Sequence, residues 1–350
     1  MPPTSPLVSP PDDESLNAAC EALGRGELVA MPTETVYGLA ANAWDENAVA
    51  KIFAAKGRPR GNPLIVHIAS MDQLDRAASL PLEPAIQHQV DALADLWPGP
   101  LTLVLPAGKR IPSIVTAGKP TVAVRIPSHP VAQAILTRCP FPIAAPSANR
   151  SKYVSPTSAA HCQSGLGEHL AMIIDGGNCN LGVESTIVSL EVTGPRLLRP
   201  GNVSAEDLAS RLKVSVFDLV SCTSERQADD KPMLAPGMMR EHYSPTTPLF
   251  MIGNDVDNIP QRSKTGRIAF RKLSDDEANR YAVVETLSQD GNLDEVSRGL
   301  FAAIRQLDNE GLDRIIIDIC EPIGLGRAIM DRIQRAAAGH NAKPPNERTT

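Results

Sequence analysis

The chain has 350 residues, 42% hydrophobic and 21% charged, which suits about two globular domains and excludes a wholly disordered chain. A formal net charge of −6 with only 3% aromatics disfavours bulk phosphate-backbone binding and stacked-base RNA platforms. No apolar run approaches the ~20 residues that span a bilayer. Residues 1–14 hold Pro, Ser and acids without a basic or apolar signal segment, and read as a frayed tail. The 31 prolines and 24 glycines point to many loops carrying backbone-defined sites. Six cysteines, Cys20, Cys139, Cys162, Cys179, Cys222 and Cys320, are scattered without a C-x-x-C pair. That spacing predicts neither a disulfide framework nor a zinc site, and fits a reduced cytoplasmic compartment.

In chain order, residues 15–23 have helical periodicity and stop at Gly24 and Gly26. Residues 27–31 read as a short strand ending at Pro32. Asp45 is placed to cap a helix running to Lys56, with Val49, Ile52 and Phe53 on one face. Strands are predicted over 64–69, 101–105, 121–126, 143–145, 172–174, 185–190 and 196–198, with a helix over 130–138. The strands at 171–199 are too close for βαβ crossovers, so a mixed, twisted sheet with flanking helices is expected. Residues 213–247, polar and punctuated by Pro, have linker composition. A smaller α/β unit follows, with strands over 249–252, 267–270, 282–285 and 314–319 and helices over 293–307 and from Gly326 to Ala338. The domain plan is a tail over 1–13, a first domain over 14–212, the linker over 213–247 and a second domain over 248–345.

Several segments carry chemistry. Pro32-Thr33-Glu34-Thr35-Val36-Tyr37-Gly38-Leu39 comes directly after a strand. Hydroxyls and a carboxylate at a strand's carboxyl end are well placed to meet a ligand, or form a turn with capping threonines. Lys56-Gly-Arg58-Pro-Arg60-Gly-Asn62-Pro63 puts three cations in five residues at a helix C-terminus. Cations suit such an end for dipole reasons, and a rigid loop of Lys and Arg is also an anion-binding device. His67 sits alone in an alternating strand, where a structural role is the commoner one. Thr121 and Arg125, four apart on a strand, share a face; Arg125 is a carboxylate or phosphate clamp or a surface ion-pair partner. Pro146-Ser147-Ala148-Asn149 comes after an apolar strand and lacks the G-x-S-x-G of a nucleophile elbow. Gly182-Val-Glu184-Ser185-Thr186 and Leu198-Arg199-Pro-Gly201 add a hydroxyl and a cation. A P-loop is absent, and Gly324-Leu-Gly326 lacks the third Gly of a dinucleotide fingerprint.

PTETVYGLAANA from Pro32, KGRPRGNPLIVHI from Lys56, WPGPLTLVL from Trp97, TVAVRIPSHP from Thr121, APSAN from Ala145, IDGGNCNLGVESTIV from Ile174 and LLRPG from Leu197 resemble the YrdC/Sua5 family, the threonylcarbamoyl-AMP synthases. The K-x-R…S-x-N signature is Lys56-Gly-Arg58 and Ser147-Ala-Asn149. The linker and C-terminal unit are similar to the long, Sua5-type members. The resemblance implies a YrdC-like α/β domain with a smaller C-terminal Rossmann-like α/β domain.

It also implies a reaction in which L-threonine, bicarbonate and ATP give threonylcarbamoyl-AMP and pyrophosphate. The product serves threonylcarbamoyladenosine formation at position 37 of tRNAs reading ANN codons, through a downstream tRNA threonylcarbamoyl transferase machinery. By the same resemblance Lys56, Arg58, Asn62, Thr121, Ser147, Asn149, Ser155 and Arg199 bind ATP. Thr33, His67, Arg125, Ala145 and Ser185 hold threonine, and His242 and Tyr243 belong to a lid. Lys56, Arg58, Ser147 and Asn149 are the catalytic set. Mg2+ rides on the phosphates rather than in a protein cage. No membrane partner and little direct tRNA binding are expected. An RNA-binding module, carbamoyl transfer from carbamoyl phosphate, and a regulatory role of the C-terminal unit are the competing readings.

Overall fold

The computed structural model describes residues 7–220, 242–253 and 264–339. They divide into two compact units, 7–151 with 155–220, and 152–154 with 242–253 and 264–339. Within the expected tail, linker and C-terminus, residues 1–6, 221–241 (with Cys222) and 340–345 lie outside the described residues.

The first unit runs β1 (Leu7–Ser9), α1 (Asp13–Gly24), β2 (Val29–Met31), β3 (Gly38–Asn42), α2 (Glu46–Lys56), β4 (Ile65–His67), α3 (Pro84–Leu93) and β5 (Leu101–Pro106). It continues with α4 (Ser113–Thr116), β6 (Thr121–Arg125), α5 (Pro130–Arg138), β7 (Ile143–Ala144), α6 (Ala159–Leu166), β8 (Met172–Ile174), β9 (Thr186–Ser189), β10 (Arg196–Arg199), α7 (Ala205–Leu212) and α8 (Val216–Val220). The strands form one ten-stranded sheet, ordered β1-β8-β2-β3-β7-β4-β6-β5-β9-β10. Pairings such as β4 with β6 are parallel and others such as β5 with β6 antiparallel, so the expected mixed sheet is present.

Alternation along the strands builds this unit. Leu101, Leu103, Leu105, Val122 and Val124 join α2's Val49, Ile52 and Phe53, and α3's Val90 and Leu93, in one core. Their neighbours Val104 and Ala123 point the other way, with Ile65, Ile187 and Leu198, as a two-residue period requires. A further core sits between α1, α5 and strand residues such as Val29, Met31 and Ile174.

Three expectations from the sequence change. Leu7–Ser9, read as frayed tail, is β1, paired in parallel with β8; a partner strand supplies what local composition does not. Gly38–Asn42, to which no strand was assigned, is β3 between β2 and β7, although small residues make weak strand formers. Helices α3, α6 and α7 lie in stretches to which no element was assigned; Ser204 caps α7 by accepting from Asp207 N at 3.0 Å.

The second unit contains β11 (Leu249–Met251), β12 (Thr265–Ala269), α9 (Asp275–Ala278), β13 (Val283–Thr286), α10 (Leu293–Asp308), β14 (Arg314–Ile317) and α11 (Leu325–Ala338). Its four strands are all parallel, in the order β11-β14-β12-β13.

Helix α2 ends on Lys56, so the two ends of this helix decide where that ammonium is delivered. Asp45 fixes its start: Asp45 Oδ1 accepts from Asn47 N at 2.9 Å and Ala48 N at 3.2 Å. Gly57 ends it in the left-handed region at φ +60°. Asp45→Ala removes the cap and is expected to lower unfolding free energy by about 1 kcal/mol, read as a shifted urea midpoint at unchanged slope.

Candidate active site

The strand register creates the site. His67 on β4 pairs with Arg125 on β6, and Arg125 pairs with Thr102 on β5. Directly paired residues share a face, so an imidazole, a guanidinium and a hydroxyl form one row across three strands. That face is opposite the core packed by α2 and α3. Ser185, just before β9, adds its hydroxyl 2.8 Å from that of Thr102. Arg199 at the end of β10 donates to Ser185 Oγ at 3.0 Å and to Ser185 O at 2.9 Å. Gly201 permits that close approach: a Cβ there would meet Thr186 N at 2.3 Å.

The loop after β2 closes over the row. Thr33 Oγ1 donates to Val36 O at 2.6 Å and accepts from Val36 N at 3.2 Å, folding the loop into a tight hydroxyl-braced turn. That turn presents Glu34 and Thr35 to Arg125. Arg125 donates through Nη2 to Glu34 Oε1 at 2.6 Å and through Nη1 to Thr35 Oγ1 at 2.9 Å. The sequence left Arg125 as a clamp or a surface pair. The pair exists but is buried, with Arg125 4% and Glu34 5% exposed.

Electrostatics fix the charge states. Burial pushes the Glu34 carboxyl up, but the Arg125 charge and hydrogen bond, with backbone N–H groups, outweigh it and hold it below the usual value. Burial, reinforced by the Arg125 charge, pushes His67 down to about 3, so its ring is neutral at physiological pH. Glu34 Oε2, Arg125 Nε and His67 Nδ1 are buried without a hydrogen-bond partner among the described residues. Buried polar atoms are rarely left so, and a cluster of them in one place marks a ligand position.

A second cluster gathers cations. Lys56 Nζ, 3% exposed by residue, donates to Ser147 O and Asn149 O, both at 2.5 Å. No carboxylate pairs with it among the described residues. Burial, then the neighbouring Arg58 charge, hold the Lys56 amine well below its ordinary pKa. Arg58 Nη2 donates to Asn62 Oδ1 at 2.6 Å and Pro63 O at 2.8 Å, bracing the cationic loop; Asn62 Nδ2 has no described partner. Ser155 Oγ donates to Glu184 Oε1 at 2.5 Å, and Glu184 is close enough to act on the Lys56 charge. Ala145 is fixed by its N–H to Ile65 O at 3.0 Å. Thr121 lies four residues from Arg125 on β6, about 13 Å along the strand.

Thus Thr33, His67, Arg125 and Ser185 converge in the first unit, as do Lys56, Arg58, Asn62, Ser147 and Asn149. His242 and Tyr243 belong to the second unit. There Tyr243, 1% exposed, stacks on Phe301 at 5.3 Å, with Arg332 over its ring at 5.4 Å. Glu34 and Thr35 belong to the hydroxyl and carboxylate segment read from sequence as meeting a ligand or forming a turn, but neither they, nor Glu184, nor Thr102 in the string from Trp97, carried a substrate assignment of their own. A lone Thr in the apolar run Leu101–Pro106 was the available signal for Thr102. Cys179 is 2% exposed and burial pushes its thiol up to about 12, which removes it as a thiolate nucleophile.

Among family profiles, residues 21–201 match Sua5/YciO/YrdC, described as "Telomere recombination", and residues 203–338 match "Threonylcarbamoyl-AMP synthase, C-terminal domain". The chain belongs to the Sua5/YciO/YrdC family. A threonylcarbamoyl-AMP synthase of this family from Pyrococcus abyssi is 39% identical over 336 residues, covering 93% of this chain and 95% of that protein. The Bacillus subtilis threonylcarbamoyl-AMP synthase is 38% identical over 335 residues, with 94% of each covered. The crystal structure of P. abyssi Sua5 complexed with L-threonine matches at TM-score 0.83 and 37% identity, over 96% of this chain and 98% of that one. The Lys56-Gly-Arg58 and Ser147-Ala-Asn149 segments singled out in the sequence meet at Lys56 Nζ.

A neutral buried His67 makes a testable demand on stability. The unfolded chain binds a proton at His67 below about pH 6.5, while the folded one does so only near 3. Stability contributed by the neutral ring is therefore full above about pH 6.5 and is lost as pH falls towards 3. His67→Asn should reduce the pH slope of stability by up to about one proton, in denaturation midpoints between roughly pH 6 and 5.

Proposed function

We propose that this chain is a threonylcarbamoyl-AMP synthase, condensing L-threonine, bicarbonate and ATP to threonylcarbamoyl-adenylate and pyrophosphate. The observation that carries the reading is the pairing of two buried clusters. One, around Arg125, Glu34 and His67, suits a small amino acid. The other, around Lys56 and Arg58, has a buried ammonium whose hydrogen bonds among the described residues go to carbonyl oxygens, with a second cation beside it, and suits phosphate. The P. abyssi and B. subtilis relatives bear the same activity in their names, and the P. abyssi protein has been crystallised with L-threonine.

In this mechanism Arg125 holds the threonine carboxylate, with Thr33, Ser185 and the backbone at Ala145 around its polar groups. The neutral amine and bicarbonate condense to a carbamate, releasing water. A carbamate oxygen attacks the α-phosphorus of ATP and pyrophosphate leaves. Lys56, Arg58 and Arg199 neutralise phosphate charge, and Asn62, Thr121, Ser147, Asn149 and Ser155 add polar contacts to the nucleotide. An approaching phosphate favours the charged form of Lys56 and offsets the effect of its burial. Catalysis then rests on placement and electrostatics, without a covalent enzyme intermediate.

Among the described residues no group of three or more His, Cys, Asp or Glu could hold a metal ion. The two carboxylates at the site, Glu34 and Glu184, hold Arg125 and Ser155. In the proposed reaction Mg2+ enters with ATP, carried on its phosphates. No described helix is long and apolar enough to cross a membrane, and action in the cytoplasm is proposed with the function. There the adenylate supplies a transferase that forms threonylcarbamoyladenosine at position 37 of tRNAs reading ANN codons.

Purified protein with ATP, Mg2+, L-threonine and bicarbonate should release threonylcarbamoyl-AMP and pyrophosphate only when all three substrates are present, by mass spectrometry. Pyrophosphate release independent of threonine would reject the reading. Arg125→Lys keeps a charge opposite Glu34 but loses the fork geometry. It should raise the threonine KM about tenfold or more while leaving the ATP KM near wild type; equal effects on both would reject the clamp. Lys56→Ala should cripple turnover with threonine binding intact, by comparing kcat with calorimetric affinity.

A further inference from the structure

Arg125 and Glu34 form a buried pair of zero net charge, and His67 beside them is neutral. A carboxylate arriving at Arg125 by itself would leave one uncompensated negative charge in a buried place, which is unfavourable. The pair also leaves two atoms unused among the described residues, a donor at Arg125 Nε and an acceptor at Glu34 Oε2. A donor and an acceptor on adjoining groups are complementary to a zwitterion. The carboxylate meets the guanidinium and the ammonium meets the remaining carboxylate oxygen. Charge then returns to zero.

We propose that Glu34, through Oε2, receives the ammonium of the substrate, and that this contact makes the pocket select an α-amino acid over the same acid without its amine. The assignment rests on threonine being the substrate and adds a residue to those holding it. A brace on Arg125 uses Oε1, which already meets Nη2 at 2.6 Å; Oε2 takes no hydrogen bond from Arg125 and, although the backbone N–H groups of Glu34 and Ser128 lie near the carboxylate, has no hydrogen-bond partner among the described residues. Thr35 shares the bracing of Arg125 through Nη1, so the guanidinium keeps one of its loop contacts when Glu34 changes.

The test compares two ligands by calorimetry on the full chain. One is L-threonine; the other is (R)-3-hydroxybutanoate, which keeps the carboxylate and hydroxyl and lacks the amine. Wild-type protein is expected to bind threonine at least about tenfold more tightly, the range of a hydrogen bond between charged groups. Glu34→Gln is expected to bring that ratio to within about threefold, mainly through weaker threonine binding. Glu34→Asp, which keeps the charge, is expected to retain part of the preference. Equal weakening of both ligands by Glu34→Gln would overturn the proposal and leave Glu34 as a brace. A wild-type ratio near one would overturn it without any variant. Wild-type protein that binds neither acid would overturn the threonine reading along with it.

Discussion

A guanidinium inside a protein has to be compensated, and the burial of Arg125 is the constraint on which the first unit's site depends. Leaving one member of such a pair behind would cost several kcal/mol, so strand, loop and carboxylate have to arrive together. The strand supplies Arg125 at the carboxyl end of β6, level with His67 and Thr102. The hydroxyl-braced turn at Thr33 supplies Glu34 and Thr35. His67 is neutral because burial and the Arg125 charge both oppose its protonation. One buried cation thus keeps the Glu34 carboxyl low, adds to the burial that keeps His67 neutral, and shapes a loop.

The Lys56 cluster solves the opposite problem. Its ammonium is buried against carbonyl dipoles and beside another cation, which is an arrangement suited to an incoming anion rather than to stability of the empty site. Helix α2 delivers it there, capped at Asp45 and stopped at Gly57. Glu184 and Ser185 are consecutive. The first acts on the Lys56 charge, and the second bonds to Thr102 and Arg199. A short segment before β9 therefore serves both clusters. Adenylate formation by positioned reactants needs such proximity and no nucleophilic side chain.

The second unit has its own core and its own buried charges. Arg332, fully buried, lies over the ring of Tyr243, and Arg267 pairs with Asp318. This unit's all-parallel four-stranded sheet lies within residues 203–338, which match the threonylcarbamoyl-AMP synthase C-terminal domain. His242 and Tyr243 are positioned by this unit's own packing, with Tyr243 at φ +62°.

Much of this was legible in the sequence because it is local. Asp45 announced α2, Pro130 to Arg138 was a helix to the residue, and alternating apolar residues announced β5 and β6. The clustering of cations after Lys56 and the hydroxyls around Thr33 were equally plain. What escaped depended on partners far away in the chain. Strand β1 exists because β8 lies beside it, and β3 because β2 and β7 flank it. Glu34 and Arg125 are 91 positions apart, and no periodicity relates them. Side-chain alternation says which face a residue takes on its own strand. Only the hydrogen-bond register between strands decides that His67, Arg125 and Thr102 stand in one row. The sequence by itself thus determined the elements with strong local signals and the chemistry they carry. The tertiary structure decided which groups meet and are cut off from water, because register and burial are properties of the assembled sheet.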